Sequence, residues 1–362
     1  MHHASPLPVG ARVLLLSNGH GEDQVGARLA HELIAARPDL RLTAFPTVGD
    51  GRAYADGPAT RTGPLRTLPS AGRSVEGVAP LLADLRAGLF GTTVRQLRDL
   101  RRIRADLTVA IGDVWIQTLG TLPRSARRAA VQTLVSVRMH HGGWPSRHLL
   151  RERFTPAERL LLRAAYPQVF VRDGASARWL ADREVPQARY LGNPMMDRLD
   201  ASPLPWDPPG RRIVLLPGTR GHAPLALAIM LDAVARVPNV AAALPWAGTT
   251  PPAPPDGWER TPRPEGEEWR SGDARVLLVP SARFPASLRW ADLAIGAAGT
   301  AHEQAAGLGL PVIAFPCGPL YTEAFLTNQR RLLGDAVGAV AADPVVVARV
   351  AEAWLGDGDE RA

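Results

Sequence analysis

Residues Leu293–Pro316 read LAIGAAGTAHEQAAGLGLPVIAFP. The apolar opening, Leu293 to Ile295, has the pattern of a short buried strand. Gly296, Ala297, Ala298 and Gly299 then turn the chain, and a helix capped by Thr300 follows, with Glu303 at capping-box spacing. Gly309 closes that helix, Pro311 cannot continue it, and Val312 to Phe315 reads as the next strand. Strand, turn, helix, strand is the unit from which parallel sheets are wound. Small residues in the turn admit a ligand to the backbone, and the helix N-terminus offers partial positive charge to a phosphate. An ordinary capped unit with no ligand has the same pattern, so the rest of the chain must decide between them.

The same grammar recurs on both sides of the chain. Arg12–Ser17 is a strand, Asn18-Gly19-His20-Gly21 a loop, and Glu22 to Ala36 a helix with Val25, Leu29, Leu33 and Ile34 at helical spacing. Further strands are expected at Leu40–Phe45, Leu107–Ile111, Ala130–Val135, Val169–Val171 and Ala188–Leu191, with helices at 78–103 and 156–165. Residues 198–210, RLDASPLPWDPPG, are proline-rich and read as a linker. The pattern then restarts with a strand at Ile213–Leu216, the turn Pro217-Gly218-Thr219-Arg220-Gly221 and a helix at Leu225–Val237. Residues 247–273 read as loop, Val276–Val279 as a strand, and Pro344–Leu355 as the last helix. Alternating strands and helices imply an α/β fold of two facing, doubly wound parallel-sheet domains, 1–197 and 211–362. Ligands of such sheets bind at the carboxyl ends of the strands, and each loop named here follows a strand.

Composition narrows the chemistry. A chain of 362 residues has enough apolar content for two cores. No run of 18 apolar residues and no apolar leader core occur, so a transmembrane helix and a signal peptide are not expected and the expected location is cytoplasmic. The single cysteine, Cys317, excludes internal disulfides and cysteine-rich zinc sites. Lysine is absent, and with it any Walker-A loop, kinase-type ATP lysine or lysine Schiff base. Residues 1–197 carry 27 arginines and 17 acids, whereas 198–362 carry 15 and 18, which together make the net charge of +7. A basic first half suits an anionic partner or simply an arginine-rich surface. Leu81, Leu85, Leu89 and Phe90 lie beside Arg86, Arg95, Arg98, Arg101, Arg102 and Arg104. That stripe fits either peripheral contact with an anionic membrane or the protein's own core. Aromatic residues are not interleaved with the arginines, so nucleic acid is not an expected partner.

Several loops carry groups capable of chemistry. His20 stands between glycines after the first strand, and Asp113 directly follows another strand and Gly112. Together they could form a general base oriented by a carboxylate. Equally, His20 could bond a helix end and Asp113 cap the helix after it. Glu22 and Asp23, in the first helical turn, are reserve bases. Gly19, Gly21 and Gly26 miss the dinucleotide spacing, which excludes a nicotinamide cofactor. In the second half, Gly218 permits close approach, Thr219 can donate a hydrogen bond, and Arg220 supplies a bidentate fork to phosphate. Asn328-Gln329 could read sugar hydroxyls. His140, His141 and His148 lack carboxylates at helical spacing, and Asp357 and Asp359 lie in the tail, so no metal site is expected.

Together GNPMMD (192–197), LLPGTRG (215–221), AAGTAHEQAAGLGLPVIAFP (297–316) and NQRRLLG (328–334) resemble the lipid-A-disaccharide synthases. The resemblance is greatest to their divergent related branch, whose members open with an SNGHGED-like loop. It implies the GT-B glycosyltransferase fold of two Rossmann-like domains, with the acceptor in the first and a UDP-sugar in the second. The last helix can pack back on the first domain in that fold. By resemblance, Glu303 would hold the ribose hydroxyls, Gly218, Thr219, Arg220, Gly299 and Thr300 would line the diphosphate, and Gln329 would approach the donor sugar. Asn18, Glu22 and Asn193 would fall on the acceptor side, and the acceptor would be lipid-like. No cofactor or metal is implied. The chain departs from the authentic synthases in its first loop, and in IGDVWIQ, which keeps Asp113 and lacks a second aspartate. Hence acyl-glucosamine substrates do not follow. The expected activity is that of an inverting glycosyltransferase; a UDP-sugar epimerase or hydrolase, or a catalytically silent nucleotide- or lipid-binding protein, are the alternatives.

Overall fold

The computed structural model describes residues 6–65, 89–133, 135–139, 154–197, 199–219, 221–248, 250–319 and 321–356, with His20 and Leu89 described by their backbone alone. Arg220, the histidine loop 140–148, the stripe residues 81–88, and Asp357 and Asp359 lie outside the described residues, as does the His20 imidazole. The chain forms two compact units, 1–195 and 196–362.

The first unit holds seven strands: β1 (Arg12–Ser17), β2 (Arg41–Pro46), β3 (Thr60–Arg61), β4 (Arg104–Ile111), β5 (Arg124–Gln132), β6 (Gln168–Val171) and β7 (Ala188–Arg189). They pair in the order β3-β2-β1-β4-β5-β6-β7, all parallel. The helices are α1 (His20–Ala36), α2 (Leu89–Arg102), α3 (Val114–Leu119), α4 (Pro156–Ala165) and α5 (Gly174–Ala181). β1 explains the layering. Its sequence RVLLLS is buried from Val13 to Ser17, because a central parallel strand is covered on both faces. Val13 and Leu15 pack under α1 with Val25, Ala30 and Tyr54, while Leu14 and Leu16 face Phe45, Leu100, Ile116 and Leu162 on the other side. Strand order reverses between β1 and β4, so the first unit has its topological switch point where Ser17 and Ile111 end.

The second unit repeats this plan with β8 (Arg211–Leu216), β9 (Val240–Trp246), β10 (Glu259–Arg263), β11 (Gly266–Ser271), β12 (Ala274–Pro280), β13 (Leu293–Gly296), β14 (Val312–Ala314) and β15 (Val337–Ala339). The order is β10-β11-β12-β9-β8-β13-β14-β15, with β8 and β13 flanking the switch point. Helices α6 (Ala223–Arg236) and α10 (Pro344–Gly356) supply buried residues to one face, including Met230, Val234 and Val347. On the other face Leu288 of α7 (Phe284–Trp290), Ala305 of α8 (Thr300–Gly307) and Leu326 of α9 (Glu323–Leu333) are buried.

Two expectations are corrected here. The segment read as a linker belongs to the second unit's core: Leu199, Leu204 and Trp206 are buried. Trp206 stacks on Trp290 at 5.1 Å and its carbonyl accepts from Trp290 Nε1 at 2.7 Å. Residues 259–271, read as loop, form an antiparallel hairpin added to the sheet edge. Its sequence is too polar to show alternation. Pairing rests instead on buried Trp269 and the Arg260–Glu267 cross-strand ion pair.

Candidate functional site

At the first unit's switch point, Asn18-Gly19 leaves β1 and Gly112-Asp113 leaves β4. Both glycines have positive φ, 115° and 134°, which favours the residue without a side chain. Asp113 caps α3: its Oδ1 accepts from Trp115 N at 3.0 Å and Ile116 N at 3.2 Å. Its Oδ2 accepts from Asn18 Nδ2 at 3.3 Å, which ties the two loops together. The capping alternative therefore describes how Asp113 is held. Thr47 Oγ1 lies 3.2 Å from Asn18 Oδ1 and 3.0 Å from the Ser17 carbonyl. The backbone of His20 opens α1 immediately after Gly19.

Glu22 is buried against these loops: a Cβ placed on Gly19 would stand 3.1 Å from its Oε2, and one on Gly112 3.4 Å from its Cγ. Asp23 faces inward instead. Ser17 Oγ donates to its Oδ1 at 2.6 Å and lies 2.9 Å from the Tyr54 hydroxyl. Burial pushes the Asp23 carboxyl up to about 7, although the Ser17 bond opposes this. The Asp23 carboxyl is thus held within the first unit's core by Ser17, whereas Glu22 lies against the loops. Gly26, third glycine of the rejected dinucleotide spacing, has a steric reason: a Cβ there would stand 1.9 Å from the Tyr54 hydroxyl.

Behind Asp113 lies a group that sequence reasoning missed. Glu158 is fully buried on α4, where its Oε1 accepts from Gln117 Nε2 at 2.9 Å and Gln132 Nε2 at 2.7 Å. Burial raises its carboxyl to about 7, against the two amide bonds and with Asp113 adding to the rise. Asn193 takes no part in the switch point. Its Oδ1 accepts from Met195 N at 3.0 Å in a turn whose carbonyls, of Pro194 and Met195, accept from Arg28.

The second unit's switch point is built from Pro217-Gly218-Thr219 after β8 and Ala297-Ala298-Gly299 after β13. The loops touch: Ala297 N donates to Leu216 O at 3.1 Å, and His222 Nε2 donates to Ala297 O at 3.0 Å. Gly218, at φ 85°, leaves no room for a Cβ, which would stand 3.0 Å from Ala297 O. Thr219 is exposed beside it.

The capping box expected of Thr300 and Glu303 is not formed. Gly299 is the N-cap, Thr300 is the first helical residue, and no side chain caps α8. Glu303 is half-buried in the first turn. A histidine and a glutamine organise the loop in place of the box. His302 is fully buried; Ala298 N donates to its Nε2 at 3.3 Å, so the proton sits on Nδ1 and is donated to Gln329 Oε1 at 3.1 Å. Gln329 Nε2 then donates to Ala298 O at 3.1 Å and Gly299 O at 3.2 Å. Burial lowers His302 to about 4 and keeps it neutral. Gln329 is itself 5 % exposed, with oxygen and amide nitrogen both engaged. Its side chain thus supports the loop in this structure, beside the role at the donor sugar that the resemblance implies.

The effect is directional. The carbonyls of Ala297, Ala298 and Gly299 are drawn inward by His222 and Gln329. The N–H groups of Gly299, Thr300 and Ala301 donate to no acceptor among the described residues. Free N–H groups at an uncapped helix start, on a switch point, are the kind of groups that bind anions.

Comparison with solved structures supports this frame. The glycotransferase of kitacinnamycin matches at TM-score 0.59 and 15 % identity, over 97 % of this chain and 91 % of that one. MurG of Acinetobacter baumannii matches at 0.53 and 11 %, over 96 % and 93 %. The UDP-GlcNAc 2-epimerase of Neisseria meningitidis, bound to UDP-GlcNAc, matches at 0.52 and 13 %, over 96 % and 92 %. The fold is GT-B. No family model and no curated protein sequence matches the chain. No helix among the described residues is long and apolar enough to cross a membrane, and no cluster of metal-binding side chains occurs among them.

His302, His222, Glu158 and Tyr54 were not anticipated. Only His302 carried a local signal: it lies two residues into the α8 helix of the quoted stretch, where an apolar residue would otherwise be expected to face the core.

Proposed function

We propose that the chain is an inverting glycosyltransferase that moves a sugar from a UDP-sugar to a hydroxyl of a lipid-linked or amphiphilic acceptor. The observation that carries this reading is the uncapped N-terminus of α8, whose loop turns its carbonyls inward and its N–H groups outward. A departing diphosphate develops negative charge there, and pre-oriented donors stabilise it without reorganising. In this reading Gly218, Thr219, Arg220, Gly299 and Thr300 line the diphosphate, and Glu303 holds the ribose hydroxyls. The second unit binds the donor and the first the acceptor, with Asn18 and Glu22 on the acceptor side. His20, oriented by Asp113, takes the acceptor's proton. The acceptor oxygen then bonds to the anomeric carbon from the face opposite the diphosphate, whose C–O bond breaks to release UDP. No metal or cofactor enters the scheme. The basic first unit favours an acidic, lipid-like acceptor and peripheral contact with anionic membrane at the cytoplasmic face.

A UDP-sugar epimerase is the second reading, because an epimerase shares the fold at the same likeness as MurG. Incubation with UDP-GlcNAc alone and with candidate lipid acceptors separates the two. A transferase releases UDP only with acceptor; an epimerase changes the sugar without one. His20→Ala should lower transfer by about 10²- to 10⁴-fold with UDP affinity retained. Unchanged turnover would remove His20 from the mechanism.

A further inference from the structure

We infer that Tyr321 is a ligand-binding residue whose hydroxyl donates to the phosphate oxygens of a diphosphate held at the N-terminus of α8. This rests on the anion site of the proposed function and adds a side chain to it. Tyr321 is 8 % exposed, yet its hydroxyl makes no hydrogen bond among the described residues. The hydroxyl is aimed at the turn: it lies 3.9 Å from the position a Cβ would take on Gly299, and Phe325 Cζ lies 3.6 Å from the same point. The lack of a side chain on Gly299 thus brings the helix start within van der Waals reach of the Tyr321 hydroxyl.

The ring is locked in place. It packs on His222 at 4.4 Å between centroids, and edge-on against Phe325 at 4.9 Å. Its backbone carbonyl accepts from Cys317 N at 2.8 Å, which closes the turn between β14 and α9. His222 also holds Ala297 O, so one imidazole fixes both the phosphate loop and the tyrosine beside it. The turn presents three backbone N–H groups and a phenolic hydroxyl, while the neighbouring carbonyls are hydrogen-bonded to His222 and Gln329. The backbone N–H groups can only donate, which favours an ionised phosphate oxygen as their partner. A fixed ring loses little entropy on binding.

Tyr321→Phe tests this, since it removes the hydroxyl and keeps the contacts with His222 and Phe325. Calorimetric titrations of wild type and variant with UDP, inorganic pyrophosphate and uridine, beside thermal unfolding midpoints, provide the readouts. The variant is expected to bind UDP and pyrophosphate about tenfold more weakly, with uridine affinity and midpoint unchanged. Equal affinity of both proteins for UDP and pyrophosphate would overturn the role of Tyr321 and leave the anion site standing. A loss that extends to uridine, or a lowered midpoint, would make Tyr321 a packing residue and overturn it too. Wild-type binding of pyrophosphate without UDP would overturn the nucleotide-sugar reading alone, with Tyr321 still decided by the pyrophosphate arm. Binding of neither probe overturns both.

Discussion

Gln329→Met separates two roles that one side chain could hold. Methionine matches glutamine in length and fills the same space, so no cavity opens and the polar contacts alone are lost. Those contacts are to His302 Nδ1 at 3.1 Å, Ala298 O at 3.1 Å and Gly299 O at 3.2 Å. The His302 N–H and the Ala298 carbonyl are then left buried without partners, at about 1–3 kcal/mol each. A loss of about 2–6 kcal/mol is expected, a large part of the roughly 5–15 kcal/mol by which domains are stable. Urea unfolding followed by tryptophan fluorescence reads this directly, because Trp206, Trp269 and Trp290 are buried in the same unit. Release of the two carbonyls should also weaken UDP binding, since the loop loses the contacts that turn its N–H groups outward. The opposite pattern would refute the reasoning: an unchanged midpoint, unchanged UDP affinity, and a loss confined to sugar-bearing donors. That pattern would return Gln329 to direct contact with the sugar.

Two further outcomes follow from buried groups of the first unit. Glu158 keeps its proton to about pH 7 when folded, against an ordinary 4.5, so the folded chain binds more protons between those values. Stability must therefore fall as pH rises through that window. Glu158→Gln removes this titration; its stability relative to wild type should rise with pH by up to about 3 kcal/mol, at about 1.4 kcal/mol for each pH step. A difference that stays flat from pH 5 to 8 would show that Glu158 does not titrate there. Gly26→Ala places a methyl group 1.9 Å from the Tyr54 hydroxyl and should cost about 1–3 kcal/mol. Adding Tyr54→Phe should recover part of that loss in thermal unfolding, and a wild-type midpoint for the single variant would contradict the packing described.

Much of the frame was legible before any coordinates. The strands at Arg12–Ser17 and Ile213–Leu216 are apolar runs ending in glycine-containing turns, and central parallel strands require such runs because both faces are covered. The segments that escaped notice are those whose structure is imposed by neighbours. The hairpin at 259–271 is rich in charged residues and forms strands by pairing with the sheet edge. The proline-rich 199–206 segment looked solvent-bound because its three core residues follow no period, yet Trp206 is buried by stacking on Trp290. In the site, Thr300 and Glu303 offered a complete local explanation of the helix start. The actual support came from Gln329, 27 residues beyond His302 in the chain.

Local sequence thus determined the alternation of strand and helix, the placement of small residues at both switch points, and the absence of lysine-based phosphate chemistry. These follow from side-chain period, from backbone sterics and from residue identity, all of which act between near neighbours. Tertiary structure decided which polar groups are used up and which remain for a ligand. His222 and Gln329 consume the carbonyls of one turn and His302 accepts its Ala298 N–H, leaving the N–H groups of Gly299, Thr300 and Ala301 and the Tyr321 hydroxyl without acceptors or donors among the described residues. Hydrogen-bond satisfaction of buried groups is settled by whatever the fold brings within about 3 Å, and no local pattern of residues encodes that.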